Sequence, residues 1–410
     1  MVVLEHEGYV ARVESDTATS AHRFDSWKRH SACLYKFIGE RITPRLHEQH
    51  HSLNMATQEA KAWVYTGGYN TLKRGTIHPP SASAFKDEGD GPPHMLVKIH
   101  ACALNPVDVQ IMNLPSWKQP WNALYGKEKG TVNDYSGTVI APGRTGFKEG
   151  DEVFGLTLKP YAPNGGALAE VADLNTETSL AALKPKGWSH EKASAISLVW
   201  LTAKASIDSV APFVEASQNK KVAVLGGSSS TGLYTIILAK RKGWKVVATS
   251  SGKNKDFVLS TLGADEHVDY TSQDVREGVA KFQPDAVIDC VGGTECIGLP
   301  SSKRYISIVG DKVGRESMGG PYTYYDYWHP IRAGLQWFRW AKGQYGLGES
   351  YDVTVLSKKK EWLEDAKNTL GPDDIYIDSV HEFDKANEAF ERLNTGRAKG
   401  KVVVKVSSKL

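Results

Sequence analysis

The chain has 410 residues, of which 40% are hydrophobic and 24% are charged, with a formal net charge of +3. This size and composition predict a globular protein of two domains. The weak, dispersed positive charge gives no reason to expect nucleic acid binding, and the absence of a run of about 18 apolar residues predicts no membrane span.

The cysteines are too few and too widely spaced for a disulfide framework, which favours a reducing compartment. Cys290 and Cys296 lack the spacing and the neighbouring histidine pair of a zinc site, so we predict no metal there. The four cysteines are Cys33, Cys102, Cys290 and Cys296.

Residues 1–54 carry scattered histidines, among them His22 and His47, and show no sustained helix or strand period. We expect a poorly ordered extension; a metal-binding tract is the alternative. Met55 stands just before the first clear strand pattern, so it is open whether residues 1–54 belong to the mature protein.

Residues 55–194 show short strands separated by turns, which predicts an all-β, barrel-like region. The strand patterns are Lys61–Tyr65 and Met95–Ala101, followed by turns that enter strands at Gly150–Gly155 and Gly165–Val171.

Residues 195–344 alternate apolar strands with amphipathic helices, which predicts a parallel sheet covered on both faces. The strand patterns are Lys221–Gly227, Trp244–Thr249, Asp265–Tyr270, Ala286–Gly292 and Tyr305–Gly310.

Residues 345–410 are expected to return to the β domain. Ala386, Ala389, Phe390 and Leu393 fall on one helical stripe that Gly396 closes. A final strand is predicted at Lys401–Val406, so the parallel sheet is inserted between two parts of the β domain.

The clearest motif follows the strand Lys221–Gly227 and opens a helix, which is the setting of a dinucleotide phosphate loop. Gly227 is expected to permit the tight turn and Gly232 to let the helix approach the strand. The helix start offers N–H groups and a positive dipole end to a pyrophosphate. Ser229 takes the place of the usual middle glycine. The predicted phosphate contacts are Gly227, Ser229, Ser230, Thr231 and Gly232.

The end of the second strand favours NADP over NAD. An NAD site usually carries an acidic residue there to bind the ribose 2′-hydroxyl. Here the end of the strand and the residues after it, 247–255, contain no carboxylate, and the first one is Asp256. Ser250, Ser251, Lys253 and Lys255 instead offer hydroxyl and cationic donors that suit a 2′-phosphate. The alternative is a polar helix start with a solvated lysine pair.

Residues 60–406 resemble the quinone oxidoreductases of the medium-chain dehydrogenase/reductase superfamily, and Tyr322–Trp340 resembles fungal relatives of the reticulon-interacting oxidoreductases. The resemblance implies an α/β fold in which a doubly wound, Rossmann parallel sheet is inserted in a GroES-like β-barrel catalytic domain. The matching segments are Leu104–Asp108, Val132–Val139, Gly150–Val153, Gly166–Glu170, Leu201–Ala203, Leu262–Asp265 and Gly400–Val404.

Zinc alcohol dehydrogenases of the superfamily place a cysteine ligand where Asn105 stands and a Gly-His-Glu segment where Val132-Asn133-Asp134 stands. Neither ligand type is present, so we expect zinc-independent chemistry. Hydride transfer from NADPH then needs an electron-poor acceptor, either a quinone or an activated C=C of an enone or enal.

By resemblance, Asn105 and Thr202 line the nicotinamide pocket, and Tyr270 contacts the adenine side. Asn105 could donate an amide N–H to a developing enolate oxygen; its alternative role is that of a turn residue before Pro106. The proton donor stays open among Tyr125, Tyr135 and Tyr161, each of which is also a candidate packing aromatic.

Two other functions remain open on the sequence: an enoyl-thioester (enoyl-CoA) reductase, and an NADPH-binding interaction protein without turnover. The thioester reductases of the superfamily use a tyrosine soon after the Asn-Pro segment, where this chain has none before Tyr125. A homodimer is also left open.

The chain ends in Ser408-Lys409-Leu410, a peroxisomal address that an import receptor reads at a free carboxyl terminus. We therefore expect the peroxisomal matrix, with the cytoplasm as the alternative.

A fluorescent protein fused to the N-terminus, with Leu410 left free, should give a punctate peroxisomal signal in a eukaryotic cell. Removal of Leu410 should make the signal diffuse, because the receptor reads the terminal tripeptide. Diffuse fluorescence from the intact tail would contradict the assignment.

Overall fold

The computed structural model describes residues 56–86, 90–114, 128–310, 330–354 and 356–406. The N-terminal extension, Tyr125 and the Ser408-Lys409-Leu410 signal lie outside these residues. Thr57 and the described residues after it belong to one compact unit.

The strands are β1 (Ala60–Val64), β2 (Lys73–Ile77), β3 (His94–Leu104), β4 (Asp134–Ala141), β5 (Glu152–Thr157), β6 (Val171–Asn175), β7 (Ser179–Leu183), β8 (Lys221–Leu225), β9 (Lys245–Ser250), β10 (Glu266–Asp269), β11 (Ala286–Asp289), β12 (Arg304–Ser307), β13 (Ser350–Val353), β14 (Ile377–Glu382) and β15 (Lys401–Lys405). The α-helices are α1 (Pro106–Met112), α2 (His190–Ser194), α3 (Ser197–Glu215), α4 (Ser230–Arg241), α5 (Val275–Phe282), α6 (Pro330–Gln344), α7 (Lys360–Thr369) and α8 (Ala386–Asn394).

One sheet joins the two ends of the described chain. Its strand order is β14-β15-β3-β4-β5-β7, and β6 also pairs with β3. The C-terminal strand β15 runs antiparallel to β3, with Val402 opposite Leu104. Trp63, on the separate β1–β2 pair, donates its indole N–H to the Phe383 carbonyl at 2.8 Å.

The second sheet is parallel, in the order β10-β9-β8-β11-β12-β13. Alternate residues of its strands enter two different cores: Val222 and Val224 pack with α3 and α4, whereas Ala223 and Leu225 pack with α5. Both faces of the sheet are therefore covered, as expected for βαβ crossovers. The predicted α/β fold class, a doubly wound sheet combined with a β domain, is confirmed.

The parallel sheet extends further along the chain than the sequence analysis placed it. We ended this region at residue 344, but β13 pairs parallel with β12, with Tyr351 opposite Tyr305. The sequence Ser-Tyr-Asp-Val has no apolar run, because β13 has only one neighbouring strand and only Tyr351 is fully buried.

Helix α8 covers the β domain as its apolar stripe predicts. The stripe is buried, and Gly396 follows it with a positive φ of 63°, the left-handed conformation that ends many helices. The stripe residues are Ala386, Ala389, Phe390 and Leu393. In the described part of the chain, no helix has both the length and the apolar character that a membrane span requires.

Candidate active site

A cavity of about 760 Å³ lies between the carboxyl edge of the parallel sheet and the β domain. From the parallel-sheet side it is lined by the turns after β8, β9, β10 and β11. From the other side it is lined by the start of α1, by α3 and by the chain between α8 and β15. Such a crevice at the carboxyl ends of parallel strands is where open α/β sheets bind ligands.

The turn after β8 is made by Gly226, which has a φ of 82°. Our assignment of the tight turn to Gly227 was therefore wrong. Gly227 serves close packing instead, because a Cβ on it would lie 2.8 Å from the Ala248 Cβ on the neighbouring strand. Its N–H donates to the Thr249 carbonyl at 2.8 Å, which ties the turn to β9.

Ser228, Ser229, Ser230 and Thr231, at the start of α4, form a concave surface of the cavity that we call the dinucleotide cradle. Ser229 caps the helix by accepting a hydrogen bond from the Gly232 N–H at 3.1 Å. A Cβ on Gly232 would lie only 2.2 Å from the Gly226 carbonyl oxygen, so the helix reaches the turn only with glycine there. This arrangement fits the pyrophosphate of a dinucleotide.

The end of the cavity where we predict the adenosine of the dinucleotide, called the adenosine end below, differs in detail from that prediction. Ser250 and Ser251 line it, but the Ser250 hydroxyl is engaged with the His267 Nε2 at 2.8 Å. Lys253 and Asn254 also line the cavity, whereas Lys255 is not among the residues that line it.

Tyr270 is 42% exposed and lines this end, next to Asp269. Asp269 was not predicted as a site residue, because it ends β10, the third strand of the parallel sheet in chain order, rather than β9, the second. Hydrogen bonds from Thr271 lower the pKa of Asp269 to about 2, so its carboxylate is charged at neutral pH.

Asn105 lines the opposite wall of the cavity, and a buried polar network extends from it behind that wall. The Asn105 amide nitrogen donates to Asp134 Oδ2 at 3.0 Å and to the Ala103 carbonyl at 3.2 Å. The Lys401 ammonium donates to Asn105 Oδ1 and, at 3.1 Å, to Asp134 Oδ2. Asp134 Oδ1 accepts from the Leu198 N–H at 3.0 Å.

This network corrects the predicted role of Asn105. Both of its amide hydrogens are directed at protein acceptors, and the residue is 1% exposed, so the side chain does not offer a donor to a substrate oxygen. Asn105 also begins α1, where its backbone N–H donates to Asp108 Oδ2 at 2.7 Å.

Burial and polar contacts have opposite effects on the pKa values of the two buried carboxyl groups, Asp108 and Asp134. Burial raises the pKa of Asp108 to about 7, and backbone hydrogen bonds from Asn105 and Asn133 act against that shift. Burial also raises the pKa of Asp134, opposed chiefly by the charge of Lys401. Asp108, Asp134 and Lys401 were not predicted as site residues, because nothing in the sequence around each of them distinguishes it from an ordinary polar residue of a helix or strand.

Thr202 lines the cavity from α3, and its place in a nicotinamide pocket stays a prediction. Its hydroxyl donates to the Leu198 carbonyl at 2.7 Å, one helical turn earlier. The Thr202 hydroxyl oxygen can therefore accept a hydrogen bond from a ligand, but the hydroxyl proton is already donated to the Leu198 carbonyl.

The two tyrosine candidates for a proton donor that lie among the described residues, Tyr135 and Tyr161, do not line the cavity. Tyr135 is fully buried and donates to the Leu180 carbonyl at 3.1 Å, and burial raises its pKa. Tyr161 is partly buried and does not line the cavity. In the described chain, Tyr270 is the only tyrosine that does so, and it lies at the adenosine end.

Among the described residues, no cluster of three His, Cys, Asp or Glu side chains is arranged to hold a metal ion. The loop after α8 adds a cation that the sequence analysis did not select, because Arg397 lines the cavity beside Gly396 and Ala398.

Two family models match the chain. Residues 91–179 match the alcohol dehydrogenase GroES-like domain, and residues 262–404 match the zinc-binding dehydrogenase domain.

Curated relatives match over most of their length. The chain is 31% identical to a 2-methylene-furan-3-one reductase of Solanum lycopersicum, covering 84% of this chain and 79% of the relative. It is 28% identical to a trans-enoyl reductase of Aspergillus terreus, covering 84% and 96%. It is also 28% identical to the mitochondrial NAD(P)H oxidoreductase RTN4IP1 of Homo sapiens, covering 77% and 82%.

A solved quinone oxidoreductase from Coxiella burnetii is similar in structure, with a TM-score of 0.66 and 25% sequence identity. The match covers 85% of this chain and all of that chain.

Gly232→Ala should weaken the binding of a nicotinamide dinucleotide at least about tenfold, roughly 1.4 kcal/mol, because the added Cβ forces α4 away from the turn at Gly226. Gly187→Ala is the matched control, since a Cβ there meets no atom within 4 Å. Titration by nicotinamide fluorescence measures both. Unchanged affinity in Gly232→Ala would show that the start of α4 does not hold the dinucleotide.

Proposed function

The chain belongs to the medium-chain dehydrogenase/reductase family, and on that basis we propose that it is a zinc-independent, NADPH-dependent reductase of quinones or activated C=C bonds. The observation that carries the proposal is the buried network of Asn105, Asp134 and Lys401 beside a cavity that begins at the dinucleotide cradle.

NADPH as cofactor is supported by the charges around the cavity. Lys253 and Arg397 line it, and Ser251 and Asn254 add neutral donors near the end of the second strand. Asp269 contributes one negative charge at the same end, at the third strand. Cationic and neutral donors at the second strand suit a 2′-phosphate.

Zinc independence is supported by the chemistry of the network. Asn105 and Asp134 stand in the segments where zinc-dependent members of the superfamily carry ligands, and both are bonded to the Lys401 ammonium. A zinc ion there would meet a fixed positive charge and an amide, a donor type outside its usual Cys, His and carboxylate ligands.

When bound, a reduced nicotinamide would supply the hydride. The chain itself binds and orients: apolar side chains of the wall exclude water, and Thr202 presents an acceptor oxygen. Apart from Asn105, Gln110 and Thr202, the side chains of the described wall around these residues are apolar, and an acceptor that is already electron-poor suits such a wall best. The apolar wall comprises Leu104, Val107, Leu198, Val199, Ile308 and Val309.

A thioester substrate is the second candidate, since one relative is named as a trans-enoyl reductase. The described cavity has no tyrosine near Asn105 to act as the proton donor that we expect for that reaction. A cofactor-binding protein without turnover is the third candidate, and it shares the same cradle.

For location, we propose the peroxisomal matrix, on the basis of Ser408-Lys409-Leu410 alone.

The purified protein should oxidise NADPH with small quinones, enones or enals, and should do so without stoichiometric zinc by elemental analysis. Enoyl-CoA esters belong in the same screen. A marked preference for enoyl-CoA over the free enone would establish the thioester candidate, and cofactor binding without turnover of any acceptor would establish the binding protein. One tightly held zinc whose removal abolishes activity would disprove zinc independence.

NADPH should bind at least about tenfold more tightly than NADH, roughly 1.4 kcal/mol. Lys253→Ala should reduce that preference, because Lys253 lines the cavity where the 2′-phosphate is expected. Lys255→Ala is the matched control, being two residues away and not part of the lining. Equal affinity of the unaltered protein for the two cofactors, or a larger loss in Lys255→Ala, would remove the basis for the NADP assignment.

A further inference from the structure

The Lys401–Asp134 pair is unusual because both charges are almost fully buried. Lys401 is 2% exposed and Asp134 is not exposed at all. Removing two charges from water is costly, and an apolar pair of similar volume is often as stable or more so. An apolar pair could therefore fill the same space. What the two charges add is a fixed arrangement of the residues that they bond.

The pair connects segments that are far apart in the sequence. The Lys401 ammonium reaches Asp134, 267 residues earlier, and Asn105, 296 residues earlier. Asp134 in turn accepts from the Leu198 N–H, 64 residues later. A single pair of side chains thus ties β15 and β4 to the residue that begins α1 and to the first turn of α3.

Three of the four tied segments, all except β4, supply neighbouring residues to the cavity wall. Pro106 and Val107 follow Asn105, and Val199 and Thr202 follow Leu198. Gly400 and Val402 flank Lys401 and also line the cavity. The ion pair therefore lies directly behind three parts of the wall.

Lys401 is also next to the contact with the dinucleotide cradle. The Ser230 hydroxyl at the start of α4 donates to the Gly400 carbonyl at 2.6 Å. Adjacent residues of the chain thus hold the cradle, through Gly400, and the β domain, through Lys401. A shift at this point changes the distance between the two sides of the cavity.

We propose that Lys401 and Asp134 are positioning residues that set the separation between the dinucleotide cradle and the substrate wall. This inference rests on the proposed reductase function. Neither side chain touches substrate; they act through Asn105, Leu198 and Gly400. Hydride transfer depends steeply on such placement, since a misplacement of about 1 Å can lower the rate about 100-fold.

The test uses the full chain in three variants, Lys401→Met, Asp134→Asn and the two combined. The combined variant removes both charges of the pair, so that neither is left buried without the other, which favours folding. Lys405→Met is the matched control, because Lys405 lies on the same strand and is exposed. Melting temperature, kcat, KM for the acceptor and Kd for NADPH are measured for each.

The combined variant should fold and bind NADPH within about threefold of the unaltered protein, while its kcat falls at least about tenfold. Lys405→Met should change neither value. An unchanged kcat in the folded combined variant would overturn the proposal, as would a fall in kcat that only follows the loss of NADPH affinity. If all three variants fail to fold while Lys405→Met folds, the pair is a folding requirement and the proposal is wrong.

The fluorescence of bound NADPH gives a readout that needs no acceptor. If the unaltered protein reduces no quinone, enone, enal or enoyl-CoA, the reductase function fails. The positioning proposal is then decided by nicotinamide emission: it should be lower in the combined variant at saturating NADPH, because the loosened wall admits water. Identical emission in the two proteins would overturn it.

Discussion

The rest of the site depends on the hydrogen bonds that the buried ammonium of Lys401 makes. The ammonium stands between the carboxylate of Asp134 and the amide oxygen of Asn105, with almost no exposure to water. In a medium of low dielectric such a charge is tolerated only with close, well-directed partners. That requirement fixes the relative positions of β15, β4 and the start of α1, and with them one wall of the cavity.

The second constraint is the close approach of α4 to the turn after β8. Gly226 turns the chain with a positive φ, and Gly232 leaves no room for a side chain against the Gly226 carbonyl. These two contacts place the helix start at the cavity. The hydrogen bond from Ser230 to Gly400 then connects this cradle to the loop before β15, so the two constraints are joined through a single peptide segment.

The lining of the cavity is charged and polar at one end and mostly apolar at the other. Lys253 and Arg397 bring positive charge among its lining residues, and Asp269 adds one carboxylate near Tyr270. The wall in front of the Lys401 network is instead mostly apolar, with the network's charges paired behind it. A polar end that suits phosphates and an apolar end that excludes water are the arrangement that the proposed reductase function needs for its cofactor and its acceptor.

The sequence by itself determined the alternation of strands and helices, the glycine-rich turn and the apolar stripe of α8, because these depend on periodicity and on conformations that are local in the chain. It did not reveal β13, whose edge position allows a polar sequence, nor the exact glycine that makes the turn. Only the tertiary structure decided the role of Asn105, because its partner Lys401 lies 296 residues away. Lysine in a strand and aspartate in a strand each look ordinary alone; their meaning comes from the burial that brings them together.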